Sequence, residues 1–278
     1  MELNQEDIDR VVHAALTEDV GSGDATTLAL VPADAHCRAE LLLKELGVVC
    51  GIPVAAAVFR ALDPSVTVET KLEEGATVSD VPAVLAVVQG PSRAVLSGER
   101  VALNLVGRLC GIASLTRRFA ELTEGTPARI LDTRKTTPGL RALEKYAVRC
   151  GGGTNHRAGL YDGVLIKDNH IRVAGGIAEA LGSLNGNAAG LPVEIEADTI
   201  AQVREAVEAG APRILLDNMS PEQVREAVAA VAGRAELEAS GGMSLATVRA
   251  YAETGVDFIS VGALTHSVRS LDVSLEVT

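Results

Sequence analysis

Tryptophan is absent from the 278 residues, and tyrosine and phenylalanine occur three times each. Few flat side chains are therefore present on which unpaired bases could stack. Basic charge is also scarce: 25 Lys and Arg face 37 Asp and Glu, for a net charge of −12. A general nucleic-acid binder needs the opposite field. Apolar runs such as 54–59 and 81–88 fall far short of the ~20 residues that a membrane-spanning helix requires. The first residues carry carboxylates (Glu6, Asp7, Asp9) rather than the basic start and apolar middle of a secretory leader. Cys37, Cys50, Cys110 and Cys150 contain no C-x-x-C pair, so zinc-knuckle spacing is missing. These absences predict a cytoplasmic, reduced chain with structural thiols.

What is abundant is small apolar residues. The hydrophobic fraction is 47%, enough for a large core, and the length suits one large domain or two modest ones at roughly 100–200 residues each. Residues 4–17 fit an amphipathic helix, with Ile8, Val11, Val12, Ala15 and Leu16 on one face. Segments 37–43 and 66–72 partly alternate, and Pro53, Pro64, Gly75 and Pro82 punctuate them, as in strands and turns. After Pro91, residues 92–124 read as a long helix that Gly98, Gly107 and Gly111 should weaken.

From residue 129 the pattern changes. Short apolar runs recur at 129–131, 164–166, 193–195, 214–216, 235–239 and 258–261, with helical patterns between most of them. The stretch Gln202-Val203-Arg204-Glu205-Ala206-Val207 returns 21 residues later as Gln223-Val224-Arg225-Glu226-Ala227-Val228. One strand plus one helix fits that period. Apolar strands alternating with helices predict parallel pairing in an α/β sheet or barrel. Without a doubly wound glycine fingerprint, the barrel is preferred. Six strands rather than eight make it an incomplete one.

Each of these strands ends in polar or small residues: Asp132-Thr133-Arg134-Lys135, Lys167-Asp168-Asn169-His170, Glu196, Asp217-Asn218, Ser240-Gly241-Gly242 and Gly262. Barrel active sites lie at those ends. Residues 132–172 hold eight Lys or Arg against four acids, with His156 and His170 added. Such a local positive field inside an acidic chain suits a small polyanion. Arg134, Lys135 and Lys167 directly follow strands. Arg141, Lys145 and Arg149, at i, i+4 and i+8, read equally well as a solvated helix face. Gly151-Gly152-Gly153-Thr154-Asn155-His156-Arg157 places glycines ahead of His156 and Arg157. Glu196 and Asp217 could hold Mg²⁺ or accept from sugar hydroxyls. Asp217 could otherwise be a helix cap, although Ser220 before Pro221 is the better one. The loops after the last two strands offer backbone N–H groups to phosphate; Ser244 there could simply cap a helix. No Ser-His-Asp set or activated cysteine is evident.

These residues also resemble the quinolinate phosphoribosyltransferase family. The likeness rests on Asp132-Thr133-Arg134-Lys135-Thr136-Thr137-Pro138-Gly139, Glu144-Lys145-Tyr146-Ala147, the Gly151-to-Arg157 run and Leu165-Ile166-Lys167-Asp168-Asn169-His170. It extends from Glu18-Asp19-Val20-Gly21 to Thr265-His266-Ser267. The resemblance implies an N-terminal α/β sandwich over 1–110, rejoined by 268–278, and an incomplete (β/α) barrel over 111–267. It implies transfer of phosphoribosyl from phosphoribosyl pyrophosphate to quinolinate with decarboxylation, giving nicotinate mononucleotide, pyrophosphate and CO₂ for NAD biosynthesis, with Mg²⁺. Arg134, His156 and Arg157 would bind the quinolinate carboxylates beside Thr133. Arg100 would reach a partner subunit's site in a homodimer or a higher homo-oligomer. Lys135 and Lys167 would contact the phosphoribosyl donor, Glu196 and Asp217 ribose and metal, and Ser240, Gly241, Gly242, Val261, Gly262, Ala263 and His266 the phosphate end. Cys110 and Ser114 stand where the family usually has Ser and Thr, which weakens a hydroxyl role there.

Three rival readings remain at this stage: a class I aldolase with a Schiff base on Lys167, a transferase acting on nicotinate, and a non-catalytic binding protein on the same barrel.

Overall fold

A computed structural model describes residues 3–184, 188 and 190–278. The chain opens with α1 (Gln5–Asp19), α2 (Ala25–Leu30), β1 (His36–Leu43), β2 (Gly47–Val48), α3 (Ile52–Leu62), β3 (Thr67–Thr70), β4 (Thr77–Val78), β5 (Ala83–Pro91) and α4 (Ser92–Glu121). It continues with β6 (Arg129–Leu131), α5 (Arg141–Cys150), β7 (Val164–Ile166), α6 (Asp168–Ala174), α7 (Ile177–Gly182), β8 (Val193–Ala197), α8 (Ile200–Glu208) and β9 (Arg213–Asp217). Last come α9 (Pro221–Val231), β10 (Glu236–Ser240), α10 (Val248–Ala252), β11 (Phe258–Ser260), α11 (Ala263–His266) and β12 (Val273–Val277). Two compact units emerge. One holds the described residues up to Arg117 with Thr136–Gly152 and Ser267–Thr278; the other holds Arg118–Lys135 and Gly153–His266. The expected boundary at 110/111 lies inside α4, and α5 falls with the first unit rather than the barrel.

The first unit is built on an antiparallel sheet of order β12-β1-β5-β3. The C-terminal strand pairs with β1, Leu275 opposite Leu41, and Leu41 faces Ala86 of β5 on its other side. Ala39, Leu41 and Leu43 share one face through the two-residue strand period and are fully buried. Val54, Ala55, Val58 and Phe59 of α3 are fully buried too. The glycines of α4 do not break it, because each makes room for a neighbour. A Cβ on Gly98 would meet Phe59 at 3.0 Å, one on Gly107 the Leu271 carbonyl at 2.7 Å, and one on Gly111 the Arg269 carbonyl at 2.2 Å. Tertiary packing thus outweighs their poor helix propensity. Ser114 holds the Val48 N–H at 2.8 Å and donates to Cys110 O at 2.6 Å, so a hydroxyl has a role here after all.

The second unit is the incomplete barrel. Its six parallel strands run β6-β11-β10-β9-β8-β7. The last strand returns beside the first, while β7 remains an edge. The sequence repeat acquires a local cause: Gln202 and Gln223 each complete a capping box, with Thr199 and Ser220 as N-caps of α8 and α9. Ser220, not Asp217, therefore caps the helix, which leaves Asp217 available at its strand end. No helix among the described residues is long and apolar enough to cross a membrane.

Candidate active site

The strand ends of the second unit enclose a cavity of about 360 Å³. Thr133, Arg134 and Lys135 enter it after β6, and Lys167 after β7. His156 and Arg157 follow Thr154, which bridges to Leu131. Glu196, Asp217 and Ser240 close the wall from the ends of β8, β9 and β10. Residues scattered over more than a hundred positions thus share one small volume, Arg134, Arg157 and Lys167 among them.

The cationic side is held rigidly. Thr265, fully buried, donates to Lys135 O at 2.7 Å, and Lys135 N donates to Thr133 Oγ1 at 3.0 Å. Asp132, also fully buried, accepts from Asn155 Nδ2 at 2.6 Å and from His156 N at 2.8 Å. Asp162 clamps the next turn through Ala158 N and Gly159 N. Arg157 donates to Gly163 O at 3.0 Å, while its buried Nε has no hydrogen-bond partner. Burial first, and the neighbouring Arg134 second, pull the Arg157 guanidinium below its ordinary value. A partly buried cation pressed by a second cation is a receptor for anions.

The cavity also holds carboxylates. Oxygens of Glu196, Asp198 and Asp217 lie within 4.8 Å of one another. Glu196 Oε2 is buried without a hydrogen-bond partner, 3.6 Å from Lys167 Nζ. Burial raises the Glu196 carboxyl above its usual range against the pull of Lys167, and Asp217 adds to the rise. Clustered oxygen donors of this kind suit a hard divalent cation. Asp198, two residues beyond Glu196, was not anticipated.

A buried acidic floor was also missed. Glu194 and Glu238 are 5% and 0% exposed. Glu238, Leu165, Leu215 and Ser260 line the cavity. The sequence signal was there: Glu194 and Glu196, and Glu238 and Ser240, stand two apart on apolar strands and so share a face. Burial, then the charge of Glu194, pushes the Glu238 carboxyl well up. Burial alone would raise Glu194, but the hydrogen bond from His156 brings it below the usual range.

His156, which lines the cavity, is also tied to its neighbours. Its Nε2 lies 2.8 Å from Glu194 Oε2, and its Nδ1 accepts from Arg157 N at 2.9 Å. Nε2 also lies 3.5 Å from Glu238 Oε2, so the ring stands between two buried carboxylates and the Arg157 amide. Through these bonds the ring is tied to Glu194 and to the main chain of Arg157. His170, by contrast, is not among the residues that line the cavity. Its Nδ1 accepts from Lys167 N at 2.9 Å and fixes the start of α6. Lys145 overturns the solvated-face reading, being fully buried next to Glu144, which pairs with Arg108 at 2.6 Å.

The remaining residues flank the cavity. Gly241 and Gly242 have φ of +104° and +59°, and a Cβ on Gly241 would strike Asn218 Oδ1 at 2.2 Å. A Cβ on Gly262 would meet His266 Nε2 at 3.1 Å and Lys135 Cδ at 3.3 Å, so glycine lets Lys135 lie close to this loop. Val261 is fully buried and Ala263 begins α11. Ser244 shares a hydrogen bond with Thr247, the N-cap of α10. Arg100 stands apart: it is exposed on α4 in the first unit, in a groove of about 240 Å³ with Arg108 and residues 270–273.

Comparison with known proteins matches this layout. The quinolinate phosphoribosyl transferase N-terminal domain profile covers residues 24–110 and the C-terminal domain profile covers 112–276. The chain belongs to the quinolinate phosphoribosyltransferase family. It is 44% identical to a probable nicotinate-nucleotide pyrophosphorylase (carboxylating) of Bacillus subtilis, over 99% of this chain and 95% of that one. A quinolinate phosphoribosyltransferase (decarboxylating) 1b of Nicotiana tabacum is also 44% identical, over 98% and 82%. The solved nicotinate-nucleotide pyrophosphorylase of Francisella tularensis superposes with a TM-score of 0.95 at 37% identity, covering 100% of this chain and 98% of that chain. In this quinolinate phosphoribosyltransferase the cationic wall and the carboxylate cluster both belong to the barrel unit.

Proposed function

We propose that the protein transfers the phosphoribosyl group of phosphoribosyl pyrophosphate to the ring nitrogen of quinolinate, with loss of CO₂, in NAD biosynthesis. The observation that carries this reading is the two-sided cavity. Arg134, Arg157, Lys135 and Lys167 offer positive charge for a dicarboxylate and a pyrophosphate, while Glu196 and Asp217 face them from the strand ends.

Each charge-assisted hydrogen bond from Arg134 and Arg157 to the substrate carboxylates contributes about 1.5–3 kcal/mol. Held there, the pyridine nitrogen is positioned to attack the anomeric carbon as pyrophosphate departs. Glu196 and Asp217 stabilise the positive charge that develops on the sugar, and Lys135 and Lys167 receive the departing anion. Alkylation makes the ring a pyridinium, whose positive nitrogen stabilises the electron pair left on the adjacent carbon when CO₂ departs; that carbon then takes a proton from water, which gives nicotinate mononucleotide. Glu196, Asp198 and Asp217 would hold Mg²⁺; the oxygen-only set and the unpartnered Glu196 Oε2 suit it. Bound there, the ion would neutralise pyrophosphate charge. Ser240, Gly241, Gly242, Val261, Gly262, Ala263 and His266 we assign to the phosphate end.

The four free cysteines suit a reducing, cytoplasmic compartment. Arg100, exposed and outside the barrel unit, suits a homodimer in which each subunit lends it to the other's site. The aldolase reading loses support: Lys167 is half exposed and paired with Glu196, whereas an amine nucleophile needs desolvation.

The test supplies the purified protein with phosphoribosyl pyrophosphate, Mg²⁺ and either quinolinate or nicotinate. CO₂ release and nicotinate mononucleotide from quinolinate alone are expected. Turnover of nicotinate in its place would make the protein the rival transferase, and product from neither would make it a binding protein.

A further inference from the structure

The first unit brings together cysteines that the sequence holds far apart. Cys50 precedes the N-cap of α3 and Cys150 ends α5. Their sulfurs and a carboxylate oxygen of Glu74 lie within 4.8 Å of one another. The neighbouring groups decide what this cluster can do. Cys110, on α4, accepts from Cys50 N and donates to Cys50 O, each at 3.3 Å, so its thiol is committed to the main chain. Glu74 is committed as well. It accepts from Gly51 N at 2.8 Å, Ile52 N at 2.9 Å and the Tyr146 hydroxyl at 2.8 Å. In effect it caps α3, whose N-cap Gly51 has no side chain to do so. Ligating a metal would compete with those bonds. Two sulfurs are left facing each other.

They are not equivalent. Cys50 is fully buried, whereas Cys150 is partly open to solvent. Burial pushes the Cys50 thiol well up. The adjacent Cys50 thiol holds the Cys150 sulfur below its ordinary value, against the opposing effect of burial. The Arg117 guanidinium donates to the carbonyls of Gly75, Cys150 and Gly151, which keeps positive charge close by. A reachable thiol favoured as thiolate, backed by a buried second thiol, is the arrangement that oxidants select.

We infer that Cys50 and Cys150 form an oxidation site at which a hydroperoxide converts the dithiol into a disulfide within the first unit. Cys150 thiolate attacks one peroxide oxygen, the O–O bond breaks, and the other oxygen leaves as alcohol or, from hydrogen peroxide, as water. The sulfenic acid on Cys150 is then attacked by the Cys50 sulfur, which forms the S–S bond and releases water. Two thiols lose two electrons and two protons, and one peroxide is reduced. The inference does not depend on the transferase reading, since none of these residues lines the barrel cavity.

The experiment takes the full chain, reduced and freed of reductant, with one equivalent of hydrogen peroxide in buffer containing a chelator. Remaining thiols are alkylated and the protein is mapped by mass spectrometry. The expected result is a loss of two hydrogens, a cross-linked pair of peptides carrying Cys50 and Cys150, and reversal by dithiothreitol. Cys37 and Cys110 should be alkylated as before, and Cys110→Ser should give the same cross-link. A cross-link through Cys110 or Cys37, Cys150 carrying added oxygen without a cross-link, or no faster oxidation of Cys150 than of Cys37 overturns the inference. So does stoichiometric Zn²⁺ binding by the reduced protein that is lost in Cys150→Ser, which would make the cluster a metal site.

Discussion

His156 stands between Glu194 and the main chain of Arg157, with Nε2 at 2.8 Å from the carboxylate and Nδ1 at 2.9 Å from the amide nitrogen. Glu194 is thus the far anchor of a short relay that ends on a cavity cation. Glu194→Ala removes that anchor and its 2.8 Å bond, leaving His156 Nε2 only the longer 3.5 Å contact with Glu238, a cost of about 1–3 kcal/mol. The expected outcome is a lower urea midpoint together with a raised quinolinate KM. An unchanged KM in folded protein would separate the relay from binding.

Arg134→Ala is expected to lose one charge-assisted contact while the fold survives. At about 1.5–3 kcal/mol, kcat/KM for quinolinate should fall roughly 10- to 150-fold. The circular dichroism spectrum should stay that of the parent. Wild-type turnover would remove Arg134 from the substrate site.

Glu238 gives a pH dependence of definite sign. Its carboxyl is pushed well above the ordinary value by burial. From about pH 4.3 up to the raised value, the folded protein keeps a proton that the unfolded chain has released. Stability therefore falls as pH rises through that window. Glu238→Gln cannot titrate, so its stability relative to the parent should increase from about pH 5 to pH 8 in urea unfolding series. A difference independent of pH would mean that Glu238 is not protonated in the fold.

Gly111→Ala sets helix propensity against packing. Alanine in mid-helix should stabilise by about 1 kcal/mol. Here its Cβ would stand 2.2 Å from the Arg269 carbonyl oxygen, which is main chain and cannot rotate away. Net destabilisation of about 1–3 kcal/mol is expected instead, read as a lower melting temperature. A stabilised variant would show that the segment carrying Arg269 and Ser270 is loosely held.

Carboxamide replacement tests the cation cluster. Glu196→Gln and Asp217→Asn should each raise the Mg²⁺ concentration needed for half-maximal activity, with little change in melting temperature, because both groups lie at strand ends facing the cavity. Unaltered Mg²⁺ dependence in both variants would place the ion elsewhere.

The linear chain already determined the barrel. Apolar runs at 129–131 and 164–166 coincide with β6 and β7, since a strand buried on both faces must read as a continuous apolar run. It also determined the polar strand ends, because Arg134, Lys167, Glu196 and Asp217 follow those runs directly. Tertiary structure alone decided which charges are buried. Lys145 has the spacing of a solvated helix face and is fully enclosed, and Glu238 is fully buried with its carboxyl pushed well up. It also decided that His156 spends its ring on Glu194 and Arg157, and that Cys50 meets Cys150. Period and composition report which side of an element is apolar. They carry no record of which distant group a side chain will face, and pairing, protonation and reactivity depend on that neighbour.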